Sequence, residues 1–260
     1  MSSIEIRTLM KIDLKGKTIL VTGSSRGIGE GIAKNLAESG ARIAVHYNRN
    51  GEKARQLADH FGNGSTAFGA DLENPNDCEK LFNDVVASFG RIDVLINNAG
   101  IFEYSPISDT DWIEKWDRTM AVNLRAVGIL SRMVIIHFKK HGRGGQLIHI
   151  SSRAAFRGDG PDFMSYAASK AGVVALSKTI ARGYGKDGIV SFVIAPGWIE
   201  SDMSRKYIEK YGKENIIKEL ALNSITQPGE LAPIVTLLAS GLADHATGTT
   251  IHVNAGSYVQ

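Results

Sequence analysis

Short apolar runs alternate along the chain with longer stretches in which apolar residues recur every three or four positions. The short runs are rich in β-branched residues and lack strict apolar–polar alternation, which is typical of strands covered on both faces. They predict seven strands, near Thr18–Thr22, Arg42–His46, Thr66–Gly69, Val94–Asn97, Leu147–Ser151, Val190–Ile194 and Thr250–Val253. The longer stretches predict helices, at Gly27–Ser39, Glu52–Phe61, Asn76–Phe89, Trp112–His141, Ser165–Gly185, Ser204–Leu222 and Glu230–Ser240.

This order of elements predicts the fold class. Strands that alternate with helices indicate an α/β protein with a doubly wound parallel sheet of about seven strands and helices on both faces. No repeat, low-complexity tract or linker divides the chain. We therefore expect a single domain, residues 16–260, after an N-terminal arm, residues 1–15, that either frays or packs on a neighbouring subunit.

Composition narrows the function classes. The chain has 260 residues, 43% of them apolar, which is enough for one large core. A net charge of +3 does not argue for nucleic acid or an anionic membrane as a partner. The single cysteine excludes an internal disulfide, and no carboxylate or thiol pattern completes a metal site with His137, His141 or His149. We also expect no signal peptide and no membrane span, and hence a cytoplasmic protein.

A glycine-rich turn follows the first predicted strand, in "ILVTGSSRGIGEGIAKNLAESGA". Gly23, Gly27 and Gly29 permit unusual backbone angles and a close approach of another group. A helix that begins near Gly27 presents free N–H groups and a partial positive charge, which together suit a pyrophosphate. The spacing differs from the usual Gly-x-Gly-x-x-Gly fingerprint. A tight turn without a ligand therefore remains an alternative for the glycines alone.

The end of the second strand indicates which dinucleotide binds. NAD sites usually place a carboxylate there for the ribose 2′-hydroxyl. In this chain Tyr47 and Asn48 occupy that place, Arg26 lies in the glycine turn, and Arg49 follows the strand. Because two cations would meet a 2′-phosphate, we predict NADP(H) rather than NAD(H). The alternative is that both arginines are solvated surface charges.

Seven motifs occur in order at plausible spacing. They are "TGSSRGIG" at Thr22–Gly29, Asp71 in "GADL", "NNAG" at Asn97–Gly100, Asn123 in "VNL", Ser152 in "HISS", "YAASK" at Tyr166–Lys170 and "APGWIESDM" at Ala195–Met203. Together they resemble the short-chain dehydrogenase/reductase family, from about Leu14 to the C-terminus. The resemblance implies a Rossmann-type fold, a nicotinamide cofactor and a homotetramer.

The resemblance places the family's catalytic residues at Asn123, Ser152, Tyr166 and Lys170. Tyr166 and Lys170 are four residues apart, so on a helix they share one face. We expect the ammonium group and an oxidised nicotinamide ring to lower the pKa of the phenol, which would act as general acid or base. Ser152 would orient the substrate oxygen. Asn123, by the resemblance, would hold a water that links Lys170 to solvent.

The cofactor contacts also follow from the resemblance. It implies that Asp71 touches the adenine, that Asn97 lies along the cofactor, and that Pro196 and Gly197 border the nicotinamide. Ser201 would bind the carboxamide or the phosphates. The complete expected set is Gly23, Ser25, Arg26, Gly27, Ile28, Gly29, Tyr47, Asn48, Arg49, Asp71, Leu72, Asn97, Ala99, Gly100, Tyr166, Lys170, Pro196, Gly197, Ile199 and Ser201.

The chain departs from the family pattern away from the catalytic four. Tyr166 follows Ser152 by fourteen positions, one more than is common, and we place the extra residue in the loop "RGDGPD". Phe192 stands where the family often has asparagine, and the usual arginine–glycine turn before the last long helix is missing. Residues 203–222 are expected to form a substrate lid.

The end of the chain, "GTTIHVNAGSYVQ", resembles bacterial 3-oxoacyl-[acyl-carrier-protein] reductases. We therefore predict NADPH-dependent reduction of a ketone to a secondary alcohol, with a 3-oxoacyl thioester on acyl carrier protein as one possible substrate. Basic residues that could face an acidic carrier are Lys139, Lys140 and Arg143, or Arg205, Lys206, Lys210 and Lys213, although such runs are usually solvated. Two alternatives stay open: an NAD(P)-dependent alcohol, sugar or steroid dehydrogenase, and a catalytically silent NADP-binding regulatory module.

Overall fold

The sheet has seven parallel strands, as the alternation of elements predicts. The computed structural model describes residues 12–201, 204–205, 208–209 and 212–259, so most of the expected N-terminal arm lies outside the described residues. The strands are β1 Thr18–Val21, β2 Arg42–Tyr47, β3 Thr66–Gly69, β4 Val94–Asn97, β5 Gly145–Ile150, β6 Ile189–Pro196 and β7 Thr250–Val253. Their order is β3-β2-β1-β4-β5-β6-β7. The chain winds outward from β1 to β3 and then from β4 to β7, which makes the sheet doubly wound.

Helices cover both faces of the sheet. They are α1 Gly27–Glu38, α2 Gly51–Phe61, α3 Pro75–Phe89, α4 Trp112–Met120, α5 Ala126–His141, α6 Ala154–Arg157, α7 Met164–Tyr184, α8 Lys213–Ile217 and α9 Ala232–Ser240. Successive residues of β1 point to opposite faces, so Ile19 and Val21 join one apolar cluster while Leu20 joins the other. Burial on both faces explains why the strands read as apolar runs without alternation.

The predicted helix Trp112–His141 is interrupted by a π-helical turn at Ala121–Arg125, between α4 and α5. By length and composition alone this helical run could cross a membrane. Half of its most apolar part is buried inside the molecule, where Leu130, Val134 and Phe138 pack in the second cluster. The apolar character of the run is therefore explained by core packing.

The prediction of one helix over Ser204–Leu222 is wrong. Gly212 lies outside any helix with φ 83°, and α8 covers only Lys213–Ile217. A residue at φ 83° interrupts the helical hydrogen-bond ladder, so the apolar spacing on either side cannot belong to one helix. Positions 202–203, 206–207 and 210–211 of the expected lid lie outside the described residues.

Two departures from the family pattern have a structural explanation. Phe192 is fully buried on β6, where it fills the first apolar cluster. A 3₁₀ turn at Pro228–Leu231 replaces the missing arginine–glycine turn, and the Glu230 carboxylate accepts a hydrogen bond from the backbone N–H of Gln227 at 2.6 Å. This capping box starts the helix that continues as α9.

The carboxyl ends of the central strands meet at one edge of the sheet. The glycine turn follows β1, residues 98–100 follow β4, residues 151–153 follow β5, and residues 197–199 follow β6. They border a cleft of about 650 Å³. Because the strand order reverses between β1 and β4, this cleft lies at the position where open α/β sheets bind ligands.

Candidate active site

The glycine turn is packed closely against the segment that follows β4. Gly23 has φ 65°, and a Cβ atom there would lie 3.0 Å from the Cα atom of Ala99. A Cβ atom on Gly29 would overlap the carbonyl oxygen of Gly23 and lie 2.5 Å from Nδ2 of Asn98. Gly27 differs, because with φ 57° its nearest neighbour would be Cβ of Ser201 at 3.9 Å. Two of the glycines are thus required by protein packing, and only Gly27 opens onto free space.

A buried histidine that the sequence analysis did not single out fixes the same turn. The backbone N–H of Gly23 donates to Nδ1 of His46 at 2.9 Å, so the proton of the neutral ring sits on Nε2, which lies 3.1 Å from the carbonyl oxygen of Ala70. Burial lowers the pKa of His46 to about 4. His46 therefore joins the turn after β1 to the ends of β2 and β3 as a neutral ring. Its position next to Tyr47, at the end of a strand beside a glycine turn, was the signal available in the sequence.

Asn98 and Thr22 hold the other side of the turn. The Asn98 side chain donates to the carbonyl oxygens of Thr22 at 2.8 Å and of Gly23 at 3.2 Å. The Thr22 hydroxyl accepts the backbone N–H groups of Asn98 and Ala99. The neighbouring Asn97 is buried and points away from the cleft, with its Nδ2 3.1 Å from the His149 ring.

Every residue expected to bind the cofactor lines the cleft except Asn97. At one end lie Tyr47, the last residue of β2, with Asn48 and Arg49 directly after it, and Asp71, after β3. The Tyr47 ring is packed closely there, since a Cβ atom on Gly51 or Gly69 would meet it at 2.9 Å. The Asp71 carboxylate accepts from the Asn48 amide at 3.4 Å and from the backbone N–H of Glu73 at 3.1 Å.

The opposite end of the cleft is formed by α7 and the segment after β5. Tyr166 and Lys170 both lie on α7, with Nζ of Lys170 5.8 Å from the centre of the Tyr166 ring. Nζ of Lys170 donates to the carbonyl oxygen of Ile150 at 2.9 Å. The Ser152 hydroxyl accepts the backbone N–H of Ala154 at 3.1 Å and is hydrogen-bonded to the Tyr166 side chain. The structure thus brings the two hydroxyl groups and the amine together.

The expected lowering of the pKa of Tyr166 by Lys170 is not found. Burial raises the pKa of Tyr166 to about 12, and the hydrogen bond with Ser152 opposes this only in part. Burial also lowers the pKa of Lys170 to about 8. Both changes have one cause, because removal from water disfavours the charged form of each group. The further lowering by a positively charged nicotinamide ring stays a prediction.

Asn123 lies on the π-helical turn and is fully buried. Its side chain accepts the backbone N–H of Ile101 at 2.8 Å and donates to the carbonyl oxygen of Ile101 at 2.9 Å. Its amide also donates to the Ser169 hydroxyl at 3.2 Å. A Cβ atom on Gly100 would lie 3.2 Å from Oδ1 of Asn123 and 3.3 Å from Nζ of Lys170. Asn123 therefore fixes the segment after β4 beside Lys170, and π-turns of this kind are frequent at functional sites.

Aromatic side chains that the sequence analysis did not single out form a wall beside Tyr166. The Phe102 ring packs edge-on against Tyr166 with 4.8 Å between ring centres, and it stacks on Phe163 at 4.0 Å. Phe163 lies just after the loop "RGDGPD", in the 3₁₀ turn Pro161–Phe163. The connection between Ser152 and Tyr166 thus brings the Phe163 ring towards the site.

Arg153, next to Ser152, was also missed. It lines the cleft although it is only 5% exposed. Its guanidinium lies 5.3 Å from the centre of the Trp198 ring, and its Nη2 lies 3.3 Å from a carboxylate oxygen of Glu219. Its position in sequence, directly after the serine expected to be catalytic, was the available signal.

The geometry of the turn fits a dinucleotide. No described side chain caps the N-terminus of α1, so the N–H groups of its first turn face the space beside Gly27. Such a helix N-terminus suits a pyrophosphate. Within the described residues, no three His, Cys, Asp or Glu side chains are placed to hold a metal ion. His137 accepts the backbone N–H of Ile92, and His149 bonds Asn97, so both have structural partners.

Comparison with known proteins agrees with this geometry. The family model described as enoyl-(acyl carrier protein) reductase matches residues 23–258. A solved short-chain type dehydrogenase/reductase from Mycobacterium marinum superposes with a TM-score of 0.88 at 27% identity, covering 96% of this chain and 98% of that one. The chain belongs to the short-chain dehydrogenase/reductase family. It is thus an oxidoreductase of a family that uses a nicotinamide cofactor.

Curated members of the short-chain dehydrogenase/reductase family include relatives with two kinds of substrate. A 3-oxoacyl-[acyl-carrier-protein] reductase of Vibrio cholerae is 34% identical over 248 residues, which cover 95% of this chain and 100% of that one. A 3β-hydroxysteroid dehydrogenase of Eggerthella lenta is 36% identical over 248 residues, which cover 94% of each chain. The similarity is comparable for both, so it does not distinguish the substrates.

Proposed function

We propose that the protein is an NADPH-dependent reductase that converts a ketone to a secondary alcohol. The observation that carries this proposal is the hydrogen-bonded pair Ser152 and Tyr166, which lines the same cleft as the glycine turn, with Lys170 beside it. Two neighbouring hydroxyl groups can both donate hydrogen bonds to the oxygen of a carbonyl, whereas a carbon–carbon double bond offers no such acceptor.

Each side chain has a distinct role in this proposal. The cofactor, when bound, supplies the hydride. Tyr166 donates a proton to the carbonyl oxygen, and its raised pKa keeps that proton in place at neutral pH. Ser152 donates to the same oxygen when its proton turns from Tyr166 to the substrate, while its Oγ still accepts the backbone N–H of Ala154. Lys170, with its lowered pKa, returns a proton towards Tyr166.

The preference for NADPH rests on the end of the cleft beside β2. Arg26 and Arg49 are both exposed there and line the cleft, and Tyr47 and Asn48 stand at the end of the strand instead of an acid. A guanidinium group binds a phosphate through parallel hydrogen bonds. The Asp71 carboxylate bonds Asn48, but it follows β3 and also accepts the backbone N–H of Glu73.

Delivery of the substrate on acyl carrier protein has weak support from the surface. Lys139, Lys140 and Arg143 lie at the end of α5, just before β5 begins, and thus at the edge of the sheet opposite the cleft. Lys139 also pairs with Asp187 at 2.9 Å. In the second basic run, Lys213 pairs with Glu200 at 3.0 Å, while Lys206 and Lys210 lie outside the described residues.

A steroid or similar flat alcohol is the second candidate substrate. The stacked rings of Phe102 and Phe163 favour it, because they present a flat apolar wall beside Tyr166. The homotetramer and the lid at residues 203–222 are further proposals. Exposed isoleucines on α4 and α5, Ile113 and Ile136, support assembly.

Initial rates of NADPH and NADH oxidation, measured side by side, test the proposed function. The substrates are an acetoacetyl thioester, a crotonyl thioester and a 3-oxosteroid. Consumption of NADPH with the acetoacetyl thioester or the steroid supports ketone reduction and identifies the class. Turnover with the crotonyl thioester alone, or a preference for NADH, contradicts it.

A further inference from the structure

A positive charge is buried beside the catalytic pair and is poorly paired. Arg153 follows Ser152 directly, lines the cleft and is 5% exposed. Burial lowers the pKa of its guanidinium, and the nearby Arg157 lowers it further. The opposing carboxylates are Glu219 and Asp159, both on exposed segments. A buried cation that is not matched by a buried anion is costly, and such a group in a cleft is a candidate functional residue.

The hydrogen bonds of this guanidinium are incomplete. Its Nη2 bonds the carboxylate of Glu219 at a distance of 3.3 Å. Its Nη1 is buried and has no hydrogen-bond partner among the residues that the structure describes. A carboxylate that approached both nitrogen atoms would form two parallel hydrogen bonds in place of this single long one. The Trp198 ring, 5.3 Å from the guanidinium carbon, holds the planar group in a fixed orientation.

We propose that Arg153 binds a carboxylate group of the substrate. Glu219 pairs with the Arg153 guanidinium until the substrate carboxylate replaces it. The substrate class is then a keto acid, whose ketone lies at Ser152 and Tyr166 and whose carboxylate lies at Arg153. This inference rests on the proposed reduction of a ketone and narrows its substrate.

The position of Glu219 explains how the exchange can occur. Its side chain is half exposed, whereas the Arg153 side chain is 6% exposed, so Glu219 can leave into water while the arginine stays in place. Glu219 lies just after α8, in the segment expected to form the lid. The carboxylate of a free keto acid can pair with the Arg153 guanidinium, whereas a simple 3-oxoacyl thioester carries no anion near its ketone.

The test compares keto acids with their neutral esters. The probes are acetoacetate, levulinate and 5-oxohexanoate, in which the spacing between ketone and carboxylate increases, together with the methyl ester of each. The expected kcat/KM for the best acid exceeds that for its ester by about 10- to 100-fold. Arg153→Met, which retains apolar volume, is expected to reduce that ratio to about one, and Arg153→Lys to restore part of it, since a lysine keeps the charge without the planar fork.

Glu219→Gln is the second variant, and it does not disturb a buried residue. It removes the competing carboxylate, so the KM for the best acid is expected to fall about 3- to 10-fold while its kcat changes less. Glu214→Gln is the matched control, because Glu214 lies on the neighbouring α8 and is exposed. It is expected to leave the ratio of acid to ester unchanged.

The outcomes separate this inference from the proposed function. If the esters are reduced as well as the acids, and Arg153→Met lowers both equally, Arg153 has only a packing role and the inference is wrong while ketone reduction stands. If neither acids nor esters are reduced but the 3-oxosteroid is, the inference is again overturned. If no ketone is reduced at all, the proposed function itself fails.

Discussion

Nζ of Lys170 lies 5.8 Å from the centre of the Tyr166 ring and is held by the carbonyl oxygen of Ile150 at 2.9 Å. Burial shifts the two pKa values in opposite directions: it raises the pKa of Tyr166 to about 12 and lowers the pKa of Lys170 to about 8. The chain itself thus holds a protonated phenol beside an amine that releases its proton readily. This arrangement suits donation of a proton to a carbonyl oxygen.

Replacement of Lys170 by methionine is expected to change how stability depends on pH. The folded pKa is about 8 against 10.5 in the unfolded chain, so between these values the unfolded chain holds a proton that the folded one has lost. The free energy of unfolding therefore rises with pH through this window, and the full cost of burial is present below pH 8. Lys170→Met removes this cost.

The gain in free energy of unfolding that Lys170→Met gives over the wild type should be largest near pH 7. Near pH 10.5 this gain should be smaller by at most about 3 kcal/mol. Urea unfolding of both proteins at several pH values, at one protein concentration and without cofactor, measures the difference. A difference that does not vary with pH would show that Lys170 is not desolvated.

Substitution of Gly29 tests the packing of the glycine turn. A Cβ atom there would meet Nδ2 of Asn98 at 2.5 Å and the backbone of Gly23, neither of which can move freely. Gly29→Ala is expected to destabilise the protein by about 2 kcal/mol or more and to weaken NADPH binding at least tenfold. Gly183→Ala on α7 is the control, because nothing lies within 4 Å of its added methyl group.

Thermal unfolding and NADPH fluorescence titration measure both effects. The control should be neutral or slightly stabilising, since alanine favours a helix by about 1 kcal/mol over glycine. Equal behaviour of the two variants would mean that the turn has more space than the structure indicates.

The cofactor preference depends on Arg49 in this account. Arg49→Ala is expected to raise the KM for NADPH about tenfold with little change for NADH, because only NADPH carries the 2′-phosphate. Arg55→Ala is the matched control, since Arg55 is an exposed arginine on α2 that pairs with Glu52 and does not line the cleft. Steady-state kinetics with both cofactors provide the ratio. Parallel losses for NADPH and NADH would assign Arg49 a general role instead.

Much of the fold could be predicted because the apolar pattern of each segment agrees with its place in the sheet or in the helical layers. Each of the seven strands lies within a few residues of its apolar run, since burial on both faces leaves a continuous pattern. The prediction of a helix over Ser204–Leu222 was wrong because the spacing of apolar residues carries no information about backbone angles. Gly212, with φ 83°, interrupts that helix. The π-turn at Asn123 was equally invisible, since its residues keep the spacing of the helices on either side.

The site residues that belong to sequence motifs could be predicted, whereas those whose roles depend on tertiary contacts could not. Nearly the whole expected cofactor set lines the cleft. Asn97 does not, because alternate residues at a strand end face opposite sides of the sheet, and Asn98 faces the turn instead. The sequence marks Arg153 only by its place after Ser152 and does not mark Phe163, because both roles depend on contacts with residues distant in the chain, Trp198 and Phe102.

The rate of NADPH oxidation by Tyr166→Phe, with a ketone that the wild type reduces, tests the central claim most directly. The variant keeps the ring that packs against Phe102 and loses only the hydroxyl group. Fluorescence titration should show NADPH binding within about twofold of the wild type, while kcat falls by about 100- to 10,000-fold. Bound NADPH with almost no turnover supports Tyr166 as the proton donor. A variant that turns over at the wild-type rate would contradict the account.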